Sequence, residues 1–91
     1  MYLRVTRGRF DSARTGRDLR PVEEASLPAL RQLPGFRGIH TGIDSESGAL
    51  VAVSLWDTRE QAQAAGAVRA SLGTQGVELD AAELYEVSIP A

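Results

Sequence analysis

The only side chain in this sequence that titrates near neutral pH without help is the imidazole of His40. It lies in FRGIHTGID, residues 36–44, a segment typical of a β-strand. If this strand pairs with the next one so that equal faces meet, His40 lies opposite Ser54 or Ala52 and shares a face with Trp56. The catalytic interpretation is a general base that removes a phenolic proton. The structural interpretation is a hydrogen-bonded or half-exposed strand histidine.

Four further side chains form a candidate substrate-binding set on the same predicted face: Arg4, Thr6, Ser54 and Trp56. Arg4 and Thr6 could orient a ligand oxygen or an oxyanion through charge-assisted hydrogen bonds. Trp56 combines a large apolar ring with one N–H donor, so it could form a wall of a pocket for an aromatic ligand. Two structural roles compete with these. Arg4 could instead pair with Glu86 on a neighbouring strand, and the Trp56 ring could fill the core under the second helix.

The composition excludes several classes of chemistry. No cysteine and a single histidine rule out a disulfide framework, a thiolate metal site, a cysteine nucleophile and a histidine-rich metal site within one chain. Walker-loop, dinucleotide-binding and metalloprotease motifs are absent as well, so we predict no metal and no cofactor. No apolar run approaches the roughly 18 residues of a membrane helix, and the alternating amino terminus is unlike a signal peptide. We therefore expect a cytoplasmic protein with no membrane contact.

The charge is unevenly distributed along the chain. All ten basic residues are arginine, six of them within the first twenty positions, whereas the second half is acidic and the net charge is −2. An arginine-rich start can indicate nucleic-acid binding, but net acidity opposes nonspecific binding to a polyanion, so we expect no nucleic-acid partner. Instead, the two ends of the chain are predicted to form adjacent strands. The expected partners are Arg4, Arg7 and Arg9 on the first strand and Glu83 and Glu86 on the last.

The elements that must position these side chains follow from the hydrophobic periods. Period-two segments predict four β-strands, with a hairpin turn between the second and the third. The strands are residues 2–10, 36–44, 49–56 and 82–89. Apolar residues three or four apart predict a first helix that begins behind Asp18 and stops at Pro34-Gly35. Pro28 should kink this helix or restart it.

A second helix is predicted after the third strand. Asp57-Thr58 supplies an N-cap, and either Glu60 or Gln61 lies three residues later, at the capping-box spacing. Gly73 ends the helix. The order strand, helix, strand, strand, helix, strand fits a ferredoxin-like split βαβ fold of the α+β class. It would have a four-stranded antiparallel sheet with both helices on one face. The 91 residues form a single domain, because two cores would each lie near the lower size limit for folding.

Strand alternation sorts the side chains into an apolar set and a mixed set. The apolar set is Leu3, Val5, Ile39, Ile43, Val51, Val53, Leu55, Tyr85, Val87 and Ile89. The mixed set is Arg4, Thr6, Phe36, His40, Leu50, Ala52, Ser54, Trp56, Leu84, Glu86 and Ser88. Two helices cover one face only, and burial of each apolar side chain is worth about 1.5–3 kcal/mol. We therefore predict a homodimer in which two sheets pack together; a monomer that covers the second face with loops is the other possibility.

Three stretches carry a family resemblance: LPGFRG (33–38), VSLWDTREQA (53–62) and LYEVSI (84–89). They resemble the dimeric α+β barrel superfamily, and most closely the domains similar to antibiotic biosynthesis monooxygenases. The resemblance covers almost the whole chain. Its motifs serve packing and capping, so they are diagnostic of the fold and weak for the reaction. It implies a pocket between helices and sheet, with the mixed set facing the pocket and the apolar set in the dimer contact.

The resemblance implies a protein that binds a small, partly aromatic molecule. Its most specific form is a cofactor-independent monooxygenase, in which His40 takes a proton from a phenolic or quinol-type substrate and the anion gives an electron directly to O2. The other function that we consider is a non-catalytic ligand-sensing or assembly domain of the same fold. Haem-degrading members carry an Asn on the first strand, and this sequence has none. An RNA-recognition module needs stacking aromatics on its central strands, where Trp56 stands alone.

Overall fold

The computed structural model describes residues 1–11, 13, 20–69 and 76–89. Within these residues five strands form one antiparallel sheet: β1 (Tyr2–Phe10), β2 (Phe36–Asp44), β3 (Ala49–Trp56), β4 (Val77–Leu79) and β5 (Glu83–Glu86). The order across the sheet is β2-β3-β1-β4, and β5 also pairs with β1. Two helices complete the architecture, α1 (Arg20–Arg31) and α2 (Arg59–Arg69). The predicted α+β class and the antiparallel sheet are confirmed.

The last predicted strand, residues 82–89, is shorter in the structure and is preceded by an additional strand. β4 pairs Leu79 with Gly8, whereas β5 pairs Glu83 with Val5. Leu79 and Glu83 are four positions apart, whereas their partners Gly8 and Val5 are three positions apart. The segment therefore has one extra residue, the signature of a bulge, and this residue interrupts the ladder. The sheet has five strands instead of four for this reason. Past β5, the backbone N–H of Val87 still donates to the carbonyl of Met1 over 3.0 Å.

A second irregularity lies at the start of β2. Phe36 pairs with Trp56, but Gly38 pairs with Leu55, so Arg37 is an extra residue in the ladder. Gly38 has a φ of 156°, a conformation that side-chain-bearing residues rarely adopt. The guanidinium of Arg37 binds the carboxylate of Asp57 over 2.6 Å, which ties the bulge to the loop before α2.

The bulge reverses the face of every later residue in β2, because side chains alternate with a period of two. Ile39 pairs with Ser54 and Ile43 with Leu50, so both isoleucines belong to the helix face. His40 pairs with Val53 and belongs to the opposite face. The sequence-based sets are wrong for these three residues, because strict alternation does not hold through Arg37.

The helix boundaries agree with the capping signals where the structure describes them. α1 is one helix that continues through Pro28, without the restart that was one of the two expectations. At the start of α2 the N–H of Gln61 donates to Thr58 Oγ1 over 3.2 Å, and the N–H of Thr58 donates to Gln61 Oε1 over 3.1 Å. This is the predicted capping box, with Gln61 as its second member. The expected cap at Asp18 and the expected helix end at Gly73 lie outside the described residues.

The helix face of the sheet carries two buried apolar clusters. The larger joins Leu30 of α1, Trp56 of β3, and Ala62 and Ala65 of α2. The alanines are 0–1% exposed, and such small side chains let α2 approach the sheet closely. The smaller cluster joins Phe10, Leu50 and Val77 near the β2–β3 hairpin. In the part of the chain that is described, no helix has both the length and the apolar character that crossing a bilayer requires.

Candidate functional site

Arg4 occupies the middle of β1, between Ser54 of β3 and Leu84 of β5. Its side chain points to the helix face and reaches the underside of α2. There Nη1 donates to the carbonyl oxygen of Ala62 over 3.3 Å. A methyl group built on Gly66, one helical turn later, would lie 3.5 Å from Nη2. The guanidinium therefore lies between sheet and helix, with an alanine and a glycine of α2 as its neighbours.

The charge of Arg4 is only weakly compensated. Its Nε is buried and meets no acceptor among the described residues. Desolvation lowers the pKa of the guanidinium from its ordinary value. The pair with Glu86 that we considered from the sequence is not formed between these described residues, because Glu86 stands opposite Tyr2 on the ladder. A half-buried cation with unused donors attracts an anionic or strongly polar oxygen.

Ser54 and Trp56 form a buried polar contact next to Arg4. The indole Nε1–H of Trp56 donates to Ser54 Oγ over 2.8 Å. Because indole nitrogen is a donor only, the hydroxyl of Ser54 acts as acceptor here and keeps its own hydrogen available. Thr6 lies two residues beyond Arg4 on the same face and is 3% exposed. The structure thus brings the four candidate binding residues together on the helix face.

Trp56 has a structural role in addition. Its side chain is 0% exposed, and its ring contacts that of Phe36 edge-on, with centroids 5.3 Å apart. Tyr2, Leu33 and Leu84 pack around the same cluster. The ring fills the space beneath the helices, as the structural interpretation predicted.

His40 is not part of this group. It is exposed and stands opposite Val53, on the open face of the sheet, by which we mean the face turned away from the helices. The expected position opposite Ser54 or Ala52 is wrong, and the bulge at Arg37 is the physical reason. The thickness of the sheet separates the imidazole from Arg4 and Ser54. Its role as a general base stays a prediction that this geometry does not test.

The open face holds a polar cluster that the sequence indicated only in part. Arg7 forms an ion pair with Glu83, one of the expected contacts between the two ends of the chain. The hydroxyl of Tyr85 donates to the other oxygen of the same carboxylate. This hydrogen bond from Tyr85, together with the charge of Arg7, lowers the pKa of Glu83, and the carboxylate in turn raises the pKa of Tyr85. Tyr85 follows Glu83 by two positions in β5. Residues two apart in a strand lie on the same face, and this spacing was the signal in the sequence.

A shallow groove of about 440 Å³ lies beside the β2–β3 hairpin. Its lining includes Arg7, Gly42 and Val51, together with the hairpin residues Ile43, Asp44 and Leu50. The carboxylate of Asp44 is already engaged, because it accepts the backbone N–H groups of Glu46 and Ser47. His40 does not line the groove. Among the residues that the structure covers, no group of three or more acidic or histidine side chains could hold a metal ion.

Sequence reasoning missed the contribution of α2 to the candidate site. Ala62 supplies the carbonyl that Arg4 binds, and Gly66 lies next to the same guanidinium. The available signal was the spacing of four, which puts both small residues on one helix face. That spacing could not reveal which strand residue would lie beneath them.

Comparison with known proteins finds similarity in structure only. No protein-family model and no curated protein matches the sequence. A proposed antibiotic biosynthesis monooxygenase from Deinococcus radiodurans is similar over 100% of this chain and 96% of its own, with 18% identity and a TM-score of 0.74. SnoaB from Streptomyces nogalater, a cofactor-independent oxygenase, matches over 97% and 93%, with 15% identity and a TM-score of 0.72.

Rv0793 from Mycobacterium tuberculosis is similar over 99% of this chain and 97% of its own, with 18% identity and a TM-score of 0.71. Identities this low establish the fold and leave the reaction open. The similarity nevertheless extends over the whole domain in each case, which confirms the fold that the resemblance implies. The chain has the ferredoxin-like α+β fold of the proteins similar to antibiotic biosynthesis monooxygenases.

Proposed function

We propose that this protein binds a small, partly aromatic molecule between its helices and sheet, and that it oxidises a phenolic or quinol-type substrate with O2 without a cofactor. The observation that carries the proposal is the guanidinium of Arg4, held between α2 and the sheet with an unpartnered donor among the described residues. The similarity in fold to SnoaB, which is described as a cofactor-independent oxygenase, supports the reaction class.

The reaction needs an electron-rich anion. Loss of the phenolic proton gives a phenolate, which the positive charge of Arg4 stabilises in a water-poor layer. The anion reduces O2 by one electron, and the two radicals combine to a peroxide at a ring carbon. When that carbon carries one hydrogen, the proton taken from the phenol returns to the peroxide. Cleavage of the O–O bond with loss of the carbon hydrogen then leaves one oxygen atom as a carbonyl and releases the other as water. In this scheme Arg4 binds the oxyanion, Thr6 and Ser54 orient it, and Trp56 contacts the aromatic ring.

The position of His40 bears on which group removes the proton. For His40 to act, the substrate would have to reach the open face, because the imidazole stands opposite Val53. Binding next to a cation lowers the pKa of a phenol, so Arg4 favours the ionised substrate without a dedicated base. We therefore propose Arg4 as the principal group and keep His40 as a hypothesis with a test of its own.

We also propose that two copies of the chain pair through the open face of the sheet. Five side chains on this face are apolar and only half-buried in a single chain: Leu3, Val5, Val51, Val53 and Leu55. A contiguous apolar sheet face of this kind is unusual on a monomer, and a second copy covers it by isologous packing. A cytoplasmic location stays a prediction of the sequence.

Oxygen uptake by the purified protein with a panel of hydroquinones and anthrones tests the reaction. We expect uptake that depends on protein concentration and falls about a hundred- to a thousand-fold in Arg4→Met, since removal of one oxyanion-binding donor has costs of this order. Gln63→Met, on the exposed side of α2, is the matched control and should retain the rate. Flat traces across the panel would contradict the oxygenase function.

One observation favours a second candidate, a ligand-sensing or assembly domain without catalysis. Trp56 is fully buried and packs against Phe36, so the ring occupies space that a large substrate would need. In that case the protein would bind ligands without consuming oxygen. Trp56→Phe would then lower the stability and leave no activity to lose.

A further inference from the structure

We propose that the ligand at Arg4 is a small aromatic compound with an anionic oxygen group, either a carboxylate or an ionised phenol, and that Gly66 leaves open the side of the guanidinium that receives it. This inference rests on the proposed binding function and specifies its substrate class. Three observations support it: the unused donors of Arg4, the hydroxyl of Ser54, and the position of Gly66 in α2.

The first observation concerns the hydrogen bonds of Arg4. A guanidinium has five N–H donors, and among the side chains and backbone groups that the structure describes only Nη1 has an acceptor, the carbonyl of Ala62. No carboxylate among those side chains pairs with it. A partly desolvated cation with unpaired donors costs free energy until an acceptor arrives, and an anion is the acceptor that compensates both charge and hydrogen bonds. A neutral ligand would compensate only the hydrogen bonds.

The second observation is a second donor at the same place. Ser54 is the ladder partner of Arg4, and paired residues have Cβ atoms about 4.5–5.5 Å apart. Its oxygen accepts from Trp56, which leaves the hydroxyl hydrogen free to donate. An oxyanion near Arg4 is thus within reach of two donors from adjacent strands. This is the arrangement in which a charged oxygen is favoured over a neutral one.

The third observation is a glycine in the interior of a helix. Glycine destabilises such a position by about 1 kcal/mol relative to alanine. Packing does not require it, because a Cβ at Gly66 would have Arg4 Nη2 at 3.5 Å and Nη1 at 3.9 Å as its nearest neighbours, which is ordinary van der Waals contact. The missing methyl group therefore leaves the outer edge of the guanidinium uncovered. We infer that the edge is kept open for the anionic group of the ligand.

Binding of simple probes tests the charge requirement without any turnover. Benzoate is compared with benzamide, and para-nitrophenol is compared above and below its own pKa, by titration calorimetry on the full chain. We expect the anion of each pair to bind about ten- to a hundred-fold more tightly, the equivalent of one hydrogen bond to a charged group. Selectivity for benzoate alone identifies carboxylates as the class, and selectivity for the phenolate alone identifies phenols. Equal binding of charged and neutral partners, or no binding of either anion, would overturn the inference.

Substitutions at two positions, Arg4 and Gly66, test the residues. Arg4→Met should abolish the preference for the anion, whereas Arg4→Lys should retain part of it. Gly66→Ala should fold at least as stably as the wild type, because alanine favours the helix, and yet bind the anion about tenfold more weakly. Ala67→Gly, an exposed position in the same helix, is the control: it should lower the melting temperature and keep the affinity. An unchanged affinity for the anion in Gly66→Ala would refute the inference that Gly66 leaves one side of the guanidinium open.

The outcomes separate this inference from the oxygenase proposal. Anion-selective binding without oxygen uptake would support the ligand class and reject the oxygenase. Oxygen uptake by Arg4→Met at the wild-type rate, with no anion selectivity in the wild type, would reject the ligand class and the role of Arg4, and would leave the oxygenase reaction standing without that residue.

Discussion

At the scale of single residues, the helix face of the sheet depends on one buried hydrogen bond. The indole N–H of Trp56 has Ser54 Oγ as its acceptor, and both side chains are shielded from water. An indole that loses its acceptor in such a place retains the full cost of desolvation. Ser54 therefore matters for the fold as well as for the proposed ligand, and the two roles must be measured separately.

The replacement of Ser54 by alanine should lower the free energy of unfolding by about 1–3 kcal/mol, because it leaves the Trp56 N–H buried without a partner. Urea unfolding followed by tryptophan fluorescence measures this change. Ser47→Ala, in the exposed hairpin, serves as control and should cost less than about 1 kcal/mol. Equal effects of the two substitutions would show that the indole finds another acceptor.

His40 provides the second test at this scale. If ligands bind at Arg4, His40→Gln should leave ligand affinity and oxygen uptake within about twofold of wild type, because the sheet lies between the two residues. If His40 is the general base, the rate should fall by about 10²–10⁴-fold. The measurement is the rate of oxygen uptake from acidic to alkaline pH for both proteins.

At the scale of elements, the β2–β3 hairpin illustrates how local chemistry sets a boundary. The carboxylate of Asp44 accepts the N–H groups of Glu46 and Ser47, and the N–H of Gly48 donates to the Asp44 carbonyl over 2.9 Å. Gly48 has a φ of 75°, which glycine adopts without strain. The turn was predictable from its composition, whereas the bulge at the opposite end of β2 was not.

The same hairpin predicts a pH dependence. Backbone hydrogen bonds from Glu46 and Ser47 lower the pKa of Asp44 in the folded protein. A carboxyl group with a lowered folded pKa contributes stability above its unfolded pKa, about 4, and this contribution disappears as the pH falls through the folded value. Asp44→Asn should therefore be less stable than wild type at neutral pH, and the difference should shrink as the pH falls below about 4. Glu46→Gln, whose carboxylate has no such role in the turn, should reproduce neither effect in thermal unfolding.

At the scale of the whole molecule, the sheet has one covered face and one open face. The helices bury the cluster around Trp56, whereas Val5, Val51 and Val53 stay half-exposed on the other side. The ion pair of Arg7 with Glu83 and the hydroxyl of Tyr85 lie at the margin of this apolar centre. An apolar centre with a polar margin is the usual anatomy of a protein interface.

Dimerisation through this face should be sensitive to a charge at its centre. Val53→Lys should convert the proposed dimer into a species of 9.8 kDa, because two lysines related by the dimer axis would be buried without partners. Gln63→Lys, on the exposed surface of α2, should remain a dimer. Sedimentation velocity at micromolar concentration distinguishes the two masses. A wild-type protein that is monomeric under these conditions would contradict the proposed pairing.

The sequence by itself determined the class of fold, the order of the elements and the faces of β1, β3 and β5, because hydrophobic period and capping chemistry are local properties. Only the tertiary structure decided the face of His40 and the surroundings of Arg4. A single extra residue at Arg37 moves His40 to the open face, and a bulge leaves almost no trace in composition. The guanidinium of Arg4 donates to the carbonyl of Ala62, which is 58 positions away in the chain. Such a contact arises only when the helix packs on the sheet.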